Sequence, residues 1–238
     1  MNENQLENRT PPELWDEKQL LERCEGYKEF SSGTIELSYK VALECLELKS
    51  GDSILDIGCG RGEIIKECSK ITPRAVGIDY SIAAVKIARD YAGCGNIVQC
   101  SATNLPFKDN TFKYVTILGF MECLNQEDLK LCVQESKRVL TNNGTILITT
   151  PNSLGVAFFT FCDKAFHLLT FKKKQSISNW YGSPLVRSTM NYFSLRSLLR
   201  KNGLKYRIWF DRNAKGRLPG FIYKILFFTA PIYCLAQK

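Results

Sequence analysis

The chain has 238 residues, of which 45% are hydrophobic and 24% charged, and a net charge of +8. That length and balance suit one globular α/β domain and exclude a disordered or fibrous chain. Ten scattered cysteines form no Cys-x-x-Cys pair, and residues 1–17 are polar with no basic-then-apolar leader. The expectation is therefore buried thiols in a reducing cytoplasm, with no disulfide framework and no metal site.

Charge is unevenly placed. Residues 151–238 carry 15 Lys and Arg against Asp163 and Asp211, whereas residues 1–150 carry 17 against 22 acids. A basic C-terminal third on an acidic body suggests an anionic partner, whether phosphate, nucleic acid or an anionic membrane, although a solvated basic surface has the same pattern.

In chain order, residues 1–50 read as N-terminal helices. One amphipathic helix falls within 11–30, and a second spans 34–48, with Leu37, Val41, Cys45 and Leu48 on one face. Lys49–Asp52 is a turn, and Ser53–Ile57 a short apolar strand that runs into Gly58-Cys59-Gly60-Arg61-Gly62. A helix follows from Glu63 to Lys70. A second strand covers Ala75–Ile78 and ends at Asp79, after which Ser81 can cap a helix with Val85, Ala88 and Ala92 on one face. Asn96–Cys100 and Tyr114–Leu118 are strands, and Gln126–Leu140 is a helix. Asn142-Asn143-Gly144 turns into the strand Thr145–Thr150. The alternation predicts a doubly wound, mostly parallel sheet with helices on both faces, as one domain over 1–238.

Residues 152–193 break that rhythm. They are aromatic and basic, with Lys172-Lys173-Lys174 among phenylalanines, Trp180 and Tyr181, and read as an inserted cap over an acceptor site. Ser194–Lys201 is a helix closed by Asn202-Gly203, and Leu204–Phe210 a strand. The apolar tail 218–238 is interrupted by Gly220 and Pro231. It reads as an interfacial helix and a last strand, Ile232–Ala236, rather than a membrane span of about 20 apolar residues.

The stretch Ile54-Leu55-Asp56-Ile57-Gly58-Cys59-Gly60-Arg61-Gly62 carries the chemistry. Glycines at a strand-to-helix turn allow a ligand to approach the backbone closely. A dinucleotide fingerprint, G-x-G-x-x-G, would need a glycine where Glu63 stands. The carboxylate of Asp56 suits a cationic ligand better than a pyrophosphate. Asp79 lies 21 residues after Gly58, at the distance from which an acid accepts ribose hydroxyls, although such an acid can also serve a turn.

These residues resemble the class I S-adenosylmethionine (SAM)-dependent methyltransferases. The resemblance continues through Ser101–Phe107, Asn110–Val115, Arg138–Leu140 and Gly144–Leu147, and is nearest the quinone-biosynthesis and small-molecule branch. It implies a seven-stranded sheet with the last strand antiparallel and SAM as methyl donor. It further implies that Asp56, Gly58 and Gly60 hold the methionine moiety and Asp79 the ribose, with Cys59 among the cofactor-binding residues. Tyr80 would flank the adenine, Ser101 and Ala102 would meet its edge, and Leu118 would lie near the donor. The chain departs from the family at Ser101, where an acid is usual, at Lys113, where Asp is usual, and at Cys123, where many relatives have His.

Transfer from a sulfonium is an in-line displacement that depends mainly on alignment and water exclusion. Glu122 is a candidate for orienting the acceptor, and His167, the only histidine, a candidate base beside the packing role usual for such a residue. The acceptor is read as a small molecule or a lipid-linked compound met at an anionic membrane surface, by a protein that is cytoplasmic or peripheral at that membrane. RNA ranks last, since no RNA-binding module is evident. A catalytically silent SAM-binding partner subunit is the alternative from another class.

Overall fold

The computed structural model describes residues 10–23, 27–93, 96–155, 157, 161, 185–210 and 231–238. Its centre is a seven-stranded sheet in the order β3-β2-β1-β4-β5-β7-β6. The strands are β1 (Ile54–Ile57), β2 (Ala75–Asp79), β3 (Ile97–Gln99), β4 (Phe112–Leu118), β5 (Leu140–Thr150), β6 (Lys205–Phe210) and β7 (Ile232–Gln237). The first five are parallel to one another, while β7 runs antiparallel to both β5 and β6. The last strand is thus reversed, as the family resemblance implies.

β1 sits between β2 and β4, and all four of its residues are buried, as expected for a parallel strand covered on both faces. Its side chains alternate between two cores. Leu55 and Ile57 join Val115, Ile117 and Ile146 under α5 (Gln126–Val139) and α6 (Tyr192–Lys201). Ile54 joins Tyr114, Leu118 and Leu147 on the other face. That face is covered by α2 (Leu37–Glu44), α3 (Glu63–Ser69) and α4 (Ile82–Ala92). Period-two alternation places Asp56 and its neighbour Thr116 on this second face.

Local signals account for the helix ends. The Ser81 hydroxyl accepts the Ala84 amide at the start of α4. Asn125 does the same for Asp128 in α5, and Asn191 forms a reciprocal capping box with Ser194 in α6. Gly203, with φ of 64°, closes α6.

Three expectations need correction. The amphipathic stretch 11–30 is no single helix. It contains a 3-10 turn at Pro12–Leu14, a wide turn at Gln19–Arg23 and the short α1 at Tyr27–Ser31; Pro11 and Pro12 prevent an earlier start. The helix α2 is shorter than the stretch 34–48, and buried Ala42 shares its core face with half-buried Val41, while Leu46 and Leu48 pack on the same core beyond its end. Asn142-Asn143-Gly144 is not a turn before β5 but an irregularity inside it, between the pairs Phe112↔Leu140 and Tyr114↔Thr145. Gly144 is required there because a Cβ would lie 2.7 Å from Leu140 and 2.8 Å from the Lys113 carbonyl.

Most of the predicted cap lies outside the described residues, as do 211–230 of the region holding the apolar tail. Where they attach is described. β5 ends at Thr150, and Phe210 at the end of β6 and Ile232 at the start of β7 pair beside it. Among the described residues no helix is long and apolar enough to cross a membrane.

Candidate functional site

The glycine loop joins β1 to α3 at the carboxyl end of the parallel strands. Gly58, Gly60 and Gly62 have φ of 74°, 51° and 86°, a left-handed region open to glycine without strain. The loop is tied by its own amides. Those of Gly58 and Cys59 both donate to the Ile78 carbonyl at 2.9 Å, and that of Gly62 to the Cys59 carbonyl at 2.8 Å. The Gly60 amide donates to Asp79 Oδ2 at 3.0 Å. These four amides are used internally, unlike the free donors with which a dinucleotide loop cradles a pyrophosphate.

The three glycines serve different ends. A Cβ on Gly58 would lie 2.5 Å from the Phe120 ring, and one on Gly62 would lie 3.0 Å from the Ala88 side chain. Packing therefore demands both. A Cβ on Gly60 would meet nothing within 4 Å. This position faces open space, where a ligand can approach the backbone.

Asp56 is 3% exposed and accepts a 2.7 Å hydrogen bond from the Thr116 hydroxyl. Burial pushes its carboxyl up to about 7; the Thr116 bond opposes the rise, and Glu63 and Asp79 reinforce it. Burial also raises Asp79, against the hydrogen bonds it accepts from the Ser81 and Gly60 amides. Glu63 is raised by burial too, although Arg61 lies 2.7 Å away; here desolvation outweighs the ion pair. None of the described ion pairs involves Asp56 or Asp79. Buried carboxyls of this kind ionise readily only beside a cation, so the site disfavours a pyrophosphate and suits SAM, which carries both a sulfonium and an ammonium.

The N-terminal segment is fastened to the loop. Buried Arg61 donates to the Leu20 carbonyl at 3.2 Å and lies over the Phe30 ring at 4.9 Å. The Ser81 hydroxyl donates to the Trp15 carbonyl at 2.7 Å. Tyr39 of α2 senses Glu63, Glu36 and Asp56, and burial with those acids holds its hydroxyl well above the usual range.

The other residues named from the sequence sit around this centre. Cys59 is buried, and its thiol is pushed well up by burial. Tyr80 is exposed at 49%. The Cys100 amide donates to the Asp79 carbonyl at 3.0 Å, which brings Ser101 and buried Ala102 beside the end of β2. The Ser101 hydroxyl is 2.8 Å from that of Thr103. Leu118 is buried at the end of β4. Glu122 is buried in the 3-10 turn Met121–Cys123, and its Oε1 would be 3.9 Å from a Cβ on Gly119. Its carbonyl accepts the amides of Arg187 and Ser188, and Thr10 donates to the Cys123 carbonyl. The N-terminal segment and the 185–190 stretch thus converge on this turn. His167, Lys172–Lys174, Trp180 and Tyr181 lie outside the described residues. Among the described residues, no group of three His, Cys, Asp or Glu side chains could hold a metal ion.

Sequence reading missed Thr116, the Arg61–Glu63 pair and the Phe120 contact. The parallel register of β1 and β4 sets Asp56 against Thr116, a pairing that the sequence alone does not report.

Comparison with known proteins decides the family. Residues 55–148 match the methyltransferase-domain family. A demethylmenaquinone methyltransferase from Staphylococcus saprophyticus is 30% identical over 174 residues, which cover 68% of this chain and 72% of that protein. The chain belongs to the class I SAM-dependent methyltransferases. This methyltransferase is also 36% identical over 103 residues to the human probable tRNA methyltransferase 9B, covering 43% of this chain and 22% of that protein. A SAM-dependent methyltransferase from Archaeoglobus fulgidus shares the fold, with a TM-score of 0.61 at 20% identity over 89% of this chain and 98% of that one. SAM is accordingly the cofactor, and the open side of Gly60 and the surplus carboxylates of the site fit it.

Proposed function

We propose that this enzyme methylates an amphipathic small molecule, quinone-like or lipid-linked, at the carboxyl end of its parallel strands. The observation that carries the reading is where the two aromatic, basic segments attach. Residues 156–184 follow the end of β5, and residues 211–230 leave β6 at Phe210 and return to β7 at Ile232. Both are tethered at the end of the sheet that holds the glycine loop, and both are rich in aromatic residues, with lysines in the first and lysines and arginines in the second. An apolar-lined site with a few polar groups is what such an acceptor requires. The likeness to a demethylmenaquinone methyltransferase supports the same class.

Bound SAM supplies a methyl group on a positively charged sulfur, which leaves as a neutral thioether. Asp56 and the backbone at Gly58–Gly60 hold the methionine end of the donor, and Asp79 accepts the ribose hydroxyls. Tyr80, Ser101 and Ala102 border the adenine, and Leu118 supports the donor from the end of β4. Glu122, beside Gly119, orients the acceptor. Alignment in a water-poor site is the enzyme's main contribution.

The test supplies tritiated SAM with reduced demethylmenaquinone, with a short-chain water-soluble analogue, and with unmodified tRNA. Label in the quinol products supports the reading. Label only in tRNA reassigns the acceptor, and label in none of several amphipathic acceptors leaves a silent partner subunit.

The Asp56 carboxyl gives the donor site a pH dependence. Its titration, raised to about 7, lies above the unfolded value of about 3.9. Its contribution to stability without donor is therefore fully present below about pH 4 and is lost as pH rises through 7. A cationic donor favours the carboxylate, so binding expels this proton and tightens as pH rises, by at most roughly tenfold per unit below 7. Calorimetry in buffers of differing protonation enthalpy should show proton release near pH 6.5. The Asp56→Asn variant should show none, and release that persists in it would assign the proton elsewhere.

A further inference from the structure

We propose that the outward face of α6 docks the enzyme on anionic lipid headgroups. The helix is sharply two-sided. Leu195 and Leu199 are wholly buried against the sheet. Phe193, Arg196, Ser197, Arg200 and Lys201 line one open groove on the opposite side, at the i, i+3, i+4, i+7, i+8 spacing of a single helical face. Phe193 is 66% exposed, an unusual setting for a phenylalanine in water and a usual one for an interfacial anchor. The Arg196 Nε donates to the Tyr206 hydroxyl at 3.0 Å, which braces the helix against β6.

Among the described residues, no acid pairs with this face. No Asp or Glu occurs in the sequence between Asp163 and Asp211, and none of the described ion pairs involves Arg196, Arg200 or Lys201. Several cations flanking one exposed aromatic match a phosphate-bearing surface over an apolar layer. Single-stranded RNA is the weaker match, since it is usually held by successive stacked aromatics, and this groove offers one. The chain that leaves β6 at Phe210 continues as Asp211-Arg212-Asn213-Ala214-Lys215-Gly216-Arg217 and the apolar run Leu218–Phe228. That is again a basic stretch followed by an apolar one, the composition of a membrane-surface segment.

The surface serves the amphipathic-acceptor reading and rests on it for its purpose, but it is tested separately. The full chain is sedimented with phosphatidylcholine vesicles and with vesicles containing about one-third phosphatidylglycerol, at low and high salt. The expected result is salt-sensitive binding to the anionic vesicles alone. The Phe193→Ser/Arg200→Glu/Lys201→Glu variant should bind them at least roughly 30-fold more weakly, with SAM affinity and circular dichroism unchanged. Absence of binding to anionic vesicles overturns the proposal, as does equal binding by the variant. Retention of RNA, lost in the variant, without vesicle binding reassigns the face to nucleic acid. Vesicle binding by an enzyme that labels no amphipathic acceptor leaves this docking surface standing and removes the acceptor reading instead.

Discussion

Gly60→Val should abolish SAM binding while the protein stays folded. Gly60 has φ of 51°, where an L-residue costs about 1–2 kcal/mol and a branched one more. That strain is the main cost to folding, because a Cβ there meets no heavy atom within 4 Å. The cost to binding is larger, since the isopropyl group fills the open side from which the donor reaches the loop. Calorimetric titration should show an affinity loss of more than about 100-fold, or roughly 2.7 kcal/mol, with a modest fall in melting temperature. Gly58→Val should behave differently, because its Cβ would strike Phe120 at 2.5 Å and folding itself should suffer. Wild-type affinity in Gly60→Val would move the donor away from the loop.

Asp79→Ala should weaken SAM binding by about 1.5–3 kcal/mol, the scale of a hydrogen bond to a charged group. Two causes have to be separated. The carboxylate is expected to accept the ribose hydroxyls, and it also holds the Gly60 amide at 3.0 Å and the Ser81 amide at 2.9 Å. A donor analogue without ribose hydroxyls distinguishes them. If the hydroxyl contacts dominate, the substitution should cost little with that analogue. If the loop tether dominates, the loss should be the same with both donors. An unchanged affinity for SAM itself would place the ribose elsewhere.

The sheet was largely legible because its strands are short apolar runs bounded by turn residues. Ile54–Ile57 and Ala75–Asp79 are fully or mostly buried, so their sequences carry a strong signal. The geometry of the glycine loop was legible from spacing. Asp56, Gly58, Gly60 and Asp79 lie at fixed distances along one β-loop-α-β unit, so spacing along the chain becomes proximity in space. Thr116 and Phe120 were not legible because they approach the loop from β4 and the turn beyond it, through a pairing no local pattern reports. The N-terminal segment failed as a helix for a tertiary reason. Its backbone carbonyls at Trp15 and Leu20 bind Ser81 and Arg61, and partners on other elements override local propensity. The Asn-Asn-Gly sequence misled because the same residues that make a turn also make a strand irregularity.

The pairing of Phe210 with Ile232 also bears on how this scaffold can diversify. The segment between these residues begins and ends on adjacent hydrogen-bonded strands, so its loop is already closed by the sheet. Doubling its length would add only about 0.6 kcal/mol of closure entropy. Insertions, deletions and wholesale replacement there are thus cheap for folding, while the donor loop, anchored on the other half of the sheet, is untouched. On the proposed reading, selection can exchange an acceptor-side segment without disturbing the glycine loop.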